Sequence, residues 1–543
     1  MHISRGVLLQ QILPEKDTYQ EEAPRTRRSF NRGSLLLIGI VALALNLYRL
    51  GAPSIWFDEM LSVERARQPL DILWKIIFST QPNMALYYLM LHFWLSGAQL
   101  LGFLPTEVVV RLPSALLAAA GSIFFFLLGK RFLGTRAAWF STALYVTNAL
   151  QLTYAQETRS YSMQLLLVTI TWYIFFAAIT TQNRRWWIGY AIAATLAIYT
   201  HLFSEFIIFT QALVFATLLI IPNSWRTLVR KQLLAYTVSL ICIGVLLLPL
   251  LIASLTKSKN DWLPSPTVSD AVHIFAAVGG GNKIYLALLV ICCLVALGRL
   301  LQIATARTNG ASSLKLAADD RLKNNLSPLI FSLVCWCVVP FIISFVVSQG
   351  SIRVFSARYL VVIITPLLLL AGLGLSLLPW KIFQTVVFVI FFITACTVVP
   401  FYYQSAQVED WRQVATWFQQ HYHAQDGVLC YDNAEGCELG LEYYLRAYPN
   451  GVSYPTDAPG SYPWVDFDLN QTGTVADVLD PKVIAPYGAQ HKRIFFVIAR
   501  VTGDDNLARV QVARNWLDSH YHFKEQIVTR LISIRVYDTT AQP

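Results

Sequence analysis

The stretch NMALYYLMLHFWLSGAQLLGFL, residues 83 to 104, is long enough to cross a membrane, yet it carries His92, Ser96, Gly97 and Gln99 inside it. Whether it crosses decides which side everything downstream occupies. A hydrocarbon core of about 30 Å takes roughly 20 apolar residues of helix, and runs near that length recur from Ser34 to Phe401. We read spans near 34–50, 112–129, 137–153, 161–181, 186–204, 206–221, 233–254, 284–300, 327–348, 359–378 and 382–401.

Loop charge decides the open run, because Lys and Arg in short loops mark the cytoplasmic side. Lys130, Arg131 and Arg136, then Arg184 and Arg185, then Arg226, Arg230 and Lys231, and finally Lys381 lie in four loops without an acidic residue. With 83–104 lying along the membrane, all four share the side of the basic arm ending RTRRSFNR. With it crossing, all four fall opposite, so we reject the crossing. The expected topology has the N-terminus inside, a large first outer loop at 51–111, and small outer loops at 154–160, 255–283 and 349–358. A polar, basic loop at 301–326 is cytoplasmic, and everything after 401 is outside.

Composition agrees: of 543 residues, 55% are hydrophobic and 14% charged, against about a quarter charged in soluble proteins. The net charge of +10 sits mainly between apolar runs, where it sets orientation, so no nucleic-acid partner is expected. The run at 34–50 lacks a small-residue cleavage site and reads as a retained span. We therefore expect a polytopic α-helical membrane protein of about eleven spans. Residues 1–33 form a cytoplasmic arm, 34–401 the membrane domain and 402–543 an extracytoplasmic soluble α/β domain. In that last part VEDWRQVATWFQQHY, LGLEYYLRAY and NLARVQVARNWLDSHY read as helices. DGVLCYD, RIFFVIAR and FKEQIVTRLISIRVYD read as strands, the last as one or two.

VGGGN at 278–282 has no preceding strand, so a nucleotide loop is a weak reading. Six cysteines lie in apolar runs; Cys430 and Cys437 are the pair in a polar region, open to a disulfide in an oxidising compartment or to two buried thiols. NQT at 470–472 is a sequon whose use depends on the host.

The chemistry starts at SIWFDEMLSVERARQP, residues 54–69, where Asp58 and Glu59 follow the first span. A carboxylate costs about 2.5 to 3.5 kcal/mol at the bilayer centre, so a solvated acidic turn just outside is the plain reading. The apolar flanks Ile55, Trp56, Phe57 and Met60 would instead restrict solvation and raise basicity. YAQETRSYSMQ, residues 154–164, packs Gln156, Glu157, Arg159 and Tyr161 into a very short outer loop, where polar groups face protein, headgroup or substrate. Glu157 and Arg159 neutralising one another is the alternative. Arg111, His201 in YTHLFSE and Arg358 in FSARYL share that face, and each alone reads as a capping or snorkelling residue. Together they offer acids for an activated hydroxyl or a metal, and cations for a phosphate.

The order WFDE, LYYLMLHFW, RLPSALLA, YAQETRSY, YTH and ARYL resembles the GT-C integral-membrane glycosyltransferases, among them the protein O-mannosyltransferases and the lipid A aminoarabinose transferases. The resemblance covers roughly 34–401. It implies a GT-C-like catalytic membrane domain in which Asp58 takes the catalytic position and Glu59 completes the acidic pair. Glu157 shapes the site and in some members contributes to a metal, so a divalent ion between Asp58 and Glu157 is compatible with the pattern. Arg111 and Arg358 match cations near a donor phosphate, and Arg159, Tyr161 and His201 join them as substrate-binding residues. The chain departs from the family at Gln81, Pro82 and Asn83, where relatives often read His-Pro-Pro. The run at 83–104 matches an interfacial helix that roofs the site.

The activity expected is transfer of a sugar from a polyprenyl-phosphate donor to a hydroxyl of a glycan, lipid or protein at the outer face of a bacterial inner membrane. Nucleotide sugars stay inside, so an outward site needs a donor already carried across. Asp58 would act as general base, with inversion at the sugar. The helix at 83–104 and the loop at 255–283 are the candidate lids. A transporter or flippase of a lipid-linked substrate is the rival reading; it would place its site near the midplane in repeated halves, and the sequence has no such repeat. A scaffold built around the outer domain is the third, and it predicts that Asp58 can be lost without consequence.

Overall fold

The computed structural model describes residues 32–540 except 80–81, 258–262, 309–319, 433–435, 448–458 and 460–476. The sequon at 470–472, most of the N-terminal arm and Gln81 lie outside the described residues. Seven helices there are long and apolar enough to span a bilayer: Glu107–Phe132, Tyr161–Thr181, Arg226–Ser254, Lys283–Gln302, Leu326–Val347, Tyr359–Leu377 and Lys381–Ser405. The protein is an integral membrane protein. Arg32–Leu47, Ser204–Ile220 and Val268–Val278 are shorter apolar helices.

The run at 137–153 is not one helix. It is divided into Thr135–Val146 and Ala149–Ala155, because the Asn148 side chain accepts from the amides of Leu150 and Gln151 and caps a new helix. An Asn at an N-cap satisfies donors that a continuing helix would satisfy internally, and the Asn148 amide also reaches the Val278 carbonyl at 2.9 Å. The run at 186–204 likewise stops early, in the helix Arg185–Thr200, and the turn at His201–Phe203 leads into Ser204–Ile220.

The segment Tyr359–Leu377 is the axis of the bundle, 83% of its apolar window being buried. Its glycines permit this: a Cβ on Gly372 would collide with Ser141, and one on Gly374 with the Cys292 carbonyl. Small residues of this kind let helices approach where lipid supplies no hydrophobic drive between them. Trp172 stacks on Trp336 at 4.8 Å within the same core.

Three helices between the first apolar helix and Glu107–Phe132, namely Phe57–Arg67, Leu70–Ser79 and Ala85–Leu100, lie against the bundle. Ala85–Leu100 turns Tyr87, Tyr88, Leu91 and Leu95 inward and leaves Phe93 and Leu100 exposed. Its polar groups are tied inward: Arg65 donates to the Tyr88 hydroxyl at 3.0 Å, a His92 ring nitrogen lies 2.8 Å from the Ala66 carbonyl, and the Trp94 indole donates to the Val109 carbonyl at 2.8 Å.

Beyond Ser405 the described residues form a four-stranded sheet in the order β1-β2-β4-β3, with β1 Gly427–Asp432, β2 Arg493–Ala499, β3 His522–Val528 and β4 Ile532–Asp538. β1 and β2 are parallel, and the other pairs antiparallel. Successive strand residues face opposite ways, and β2 uses both faces. Phe495 and Val497 join the core that runs through the helix Trp411–His421 into the membrane part, while Ile494, Phe496 and Ile498 build a second core with Val510 and Leu517. Cys430 is disulfide-bonded; the expected partner position, Cys437, has a side chain outside the described residues.

Candidate active site

Asp58 and Glu59 stand in the first turn of the helix Phe57–Arg67, where the unpaired amides of a helix start favour negative charge. Helical geometry turns consecutive residues by about 100°, and the two carboxylates go separate ways.

The Glu59 side chain is fully buried and is gripped by Arg111: Nε donates to Oε1 at 2.8 Å and Nη2 to Oε2 at 2.6 Å. The remaining reach of Arg111 goes to the carbonyls of Leu50, Pro53 and Ser54 at 2.8 to 3.0 Å. Glu59 also accepts from the Thr158 amide at 2.8 Å, so the pair staples the start of the helix Phe57–Arg67 to the loop at 154–160. A buried ion pair holds only when such bonds offset its desolvation. Expected beside a donor phosphate, Arg111 has each guanidinium nitrogen already bonded to this staple.

Asp58 keeps 18% of its side-chain surface exposed and faces two guanidinium groups, Arg358 Nη1 at 2.5 Å and Arg159 Nη2 at 3.9 Å. Arg159 is itself pinned, Nη1 donating to the Asp58 carbonyl and to Ser62 Oγ at 3.1 Å each. Arg358 is the more exposed cation, 37% against 11% for Arg159, and lies over the Trp56 ring at 5.1 Å.

Glu157 lines a cavity of about 260 Å³ together with Trp56, Glu59, Arg111, Gln156 and Tyr402. Burial first, and then the charge of Glu59, push its carboxyl up to about 8, with Asp58 adding and Arg358 opposing. Tyr161 and His201 sit to one side: the Tyr161 ring lies 5.7 Å from His201, which meets Tyr359 at 4.9 Å. His201 accepts the Phe203 amide at Nδ1, 3.2 Å. Asn83, at the departure from His-Pro-Pro, accepts the Leu202 amide at 3.0 Å and ties the start of the helix Ala85–Leu100 to the turn at His201–Phe203.

Residues 83–252 match the family model described as dolichyl-phosphate-mannose-protein mannosyltransferase. The chain is similar to the crystal structure of ArnT from Cupriavidus metallidurans bound to undecaprenyl phosphate, with a TM-score of 0.55 at 15% identity over 93% of this chain and 98% of that one. The apo state of the same protein gives 0.54 at 14% identity, over 94% and 99%. The fold is GT-C. A comparison with the curated proteins finds no match.

Within this GT-C fold, sequence reasoning passes over three groups that shape the site. Glu107 is buried and meets Arg412 at 2.5 Å and the Tyr444 hydroxyl at 2.6 Å. Glu409 accepts the Phe57 amide at 3.1 Å, and Ser54 lies 2.9 Å from the Tyr444 hydroxyl. Glu409 and Ser54 join the part of the chain beyond Ser405 to the segment before Asp58, and Glu107 joins it to the start of the helix Glu107–Phe132. Their partners lie more than 300 residues away in sequence, so no local pattern announces them. Asp410 is the N-cap of the helix Trp411–His421 and accepts the Gln413 amide.

Proposed function

We propose that the protein is a membrane glycosyltransferase that moves a sugar from a polyprenyl-phosphate donor to an acceptor hydroxyl at the outer face, with inversion. The observation that carries the reading is the Asp58 carboxylate held between Arg358 and Arg159 in a GT-C fold. ArnT, of the same fold, is described with undecaprenyl phosphate bound.

In this reading the donor phosphate draws the exposed guanidinium of Arg358 away from Asp58, and the freed carboxylate accepts the acceptor's hydroxyl proton. The acceptor oxygen bonds to the anomeric carbon as the carbon–oxygen bond to phosphate breaks on the opposite side. The lipid phosphate leaves with its charge held by Arg358 and Arg159. Glu59 and Arg111 hold the helix and loop that present these groups. Tyr161 and His201 line the region beside Arg159, and the cavity beside Glu157 offers room for part of the acceptor, whether glycan, lipid or protein.

A divalent ion fits this site poorly. Among the described residues no three His, Cys, Asp or Glu side chains stand close enough to share a metal, and Asp58 already faces two arginines.

We further propose eleven spans, the seven long helices joined by those near 34–50, 137–153, 186–204 and 206–221. The helix Ala85–Leu100 lies at the interface, the N-terminus inside and residues 402–543 outside a bacterial inner membrane. Incubating the purified protein and native envelope extract with polyprenyl-phosphate sugars and, separately, nucleotide sugars tests the reading. Label transferred only from the lipid-linked donors supports it; label from nucleotide sugars, or from neither, rejects it.

A further inference from the structure

The short strap Pro53–Phe57 that leads into Asp58 is held chiefly by the outer part of the chain. Gln407 accepts the Ser54 amide at 3.1 Å, the Tyr444 hydroxyl accepts the Ile55 amide at 2.8 Å, and Glu409 Oε2 accepts the Phe57 amide at 3.1 Å. Phe57 opens the helix that carries Asp58, and the N-cap residue Trp56 gives that helix no side-chain cap. The first amides of a helix need acceptors from outside it, and a carboxylate is the favoured one. Here the cap arrives from 352 residues away.

Glu409 is built for this task and not merely caught in an interface. It is fully buried, and a buried carboxylate is tolerated only when it is bonded. The Trp411 indole donates to the same Oε2 at 2.6 Å and fixes its direction. Arg500 lies 3.5 Å from Oε1 and stacks over the Phe57 ring at 3.9 Å. One carboxylate therefore sets both the start of the helix and the ring at its first position. Other contacts between the two parts, such as Tyr443 with the Pro105 carbonyl, attach elsewhere.

We propose that Glu409 is a positioning residue for the reaction: by capping the helix Phe57–Arg67 it holds the Asp58 carboxylate at the reacting centre, which makes the outer domain part of the catalytic apparatus. The proposal rests on the transferase reading above. A misplacement of about 1 Å at a reacting group can cost on the order of 100-fold in rate, whereas donor binding depends on groups the cap does not touch.

The test compares full-length wild type, Glu409→Ala and Glu409→Gln in transfer from a polyprenyl-phosphate sugar, with kcat and donor KM measured separately. Glu409→Ala is expected to lose at least about tenfold in kcat with donor KM within about threefold. Glu409→Gln, whose amide oxygen still accepts the Phe57 amide, is expected to recover most of that loss. If Glu409→Ala is not recovered folded, Glu409→Asp takes its place, since the shorter side chain withdraws the oxygen from Phe57. Wild-type kcat in the alanine or aspartate variant, or no rescue by glutamine, overturns the proposal alone. A wild type that transfers nothing overturns the transferase reading and the proposal with it.

Discussion

Asp58 and Glu59 are neighbours in sequence, yet Glu59 is sealed against Arg111 by bonds of 2.6 and 2.8 Å while Asp58 stays partly open and meets Arg358 at 2.5 Å. The acidic pair therefore divides: one carboxylate is locked into a buried ion pair, and the other is the one left to face the proposed chemistry.

Removing the structural half should be felt as instability. Glu59→Gln leaves Arg111 a buried charge without its counter-ion, a change that typically costs about 3–5 kcal/mol. Thermal unfolding in detergent should show a large fall, and the double variant Glu59→Gln with Arg111→Met should regain part of it. A single variant as stable as wild type would contradict the staple.

Arg358 should matter for the donor. Arg358→Ala is expected to weaken polyprenyl-phosphate binding at least about tenfold, roughly 1.4 kcal/mol. Arg358→Lys should restore only part, because an ammonium lacks the planar fork. Unchanged affinity in both variants, measured by direct binding, would remove Arg358 from the phosphate.

Glu157 gives a pH signature. Its carboxyl is raised to about 8 by burial and by Glu59, so the folded protein holds a proton that the unfolded chain releases near its ordinary value of 4.5. The neutral form is the one the fold favours, and this contribution is full below the unfolded value and is lost as pH rises toward 8. Glu157→Gln should therefore stabilise the protein more at pH 8 than at pH 5, read from unfolding curves at both. An equal effect at the two values would place the ionisation elsewhere.

Metal removal should do little. With Asp58 facing guanidinium groups, exhaustive chelation followed by magnesium or manganese addition should leave the transfer rate within about twofold. A rate abolished by chelation and restored by one ion would require carboxylates to regroup around a metal.

Much of this is legible in the residues themselves. Long apolar runs announce the seven long helices, and local patterns announce the four strands and three of the helices after residue 405, though not Pro481–Gly488. The break at Thr147–Asn148 is not, because a single capping Asn inside an apolar run scarcely lowers its hydropathy, yet it starts a new helix. In the site, Asp58, Arg159 and Arg358 can be grouped because their loops belong to one end of the bundle. The roles of Glu59 and Arg111 cannot, since adjacency says nothing of which way a side chain turns on a helix. Glu409 is invisible for a different reason: its bond to Phe57 spans 352 residues, and only the folded chain brings the two together.

The most direct test of the central claim is transfer of labelled sugar from a polyprenyl-phosphate donor by wild type and Asp58→Asn, with donor binding and thermal stability measured on the same preparations. The account predicts a loss of about 100-fold or more in transfer, the typical contribution of a positioned general base, with binding retained. Equal transfer by both proteins would contradict it.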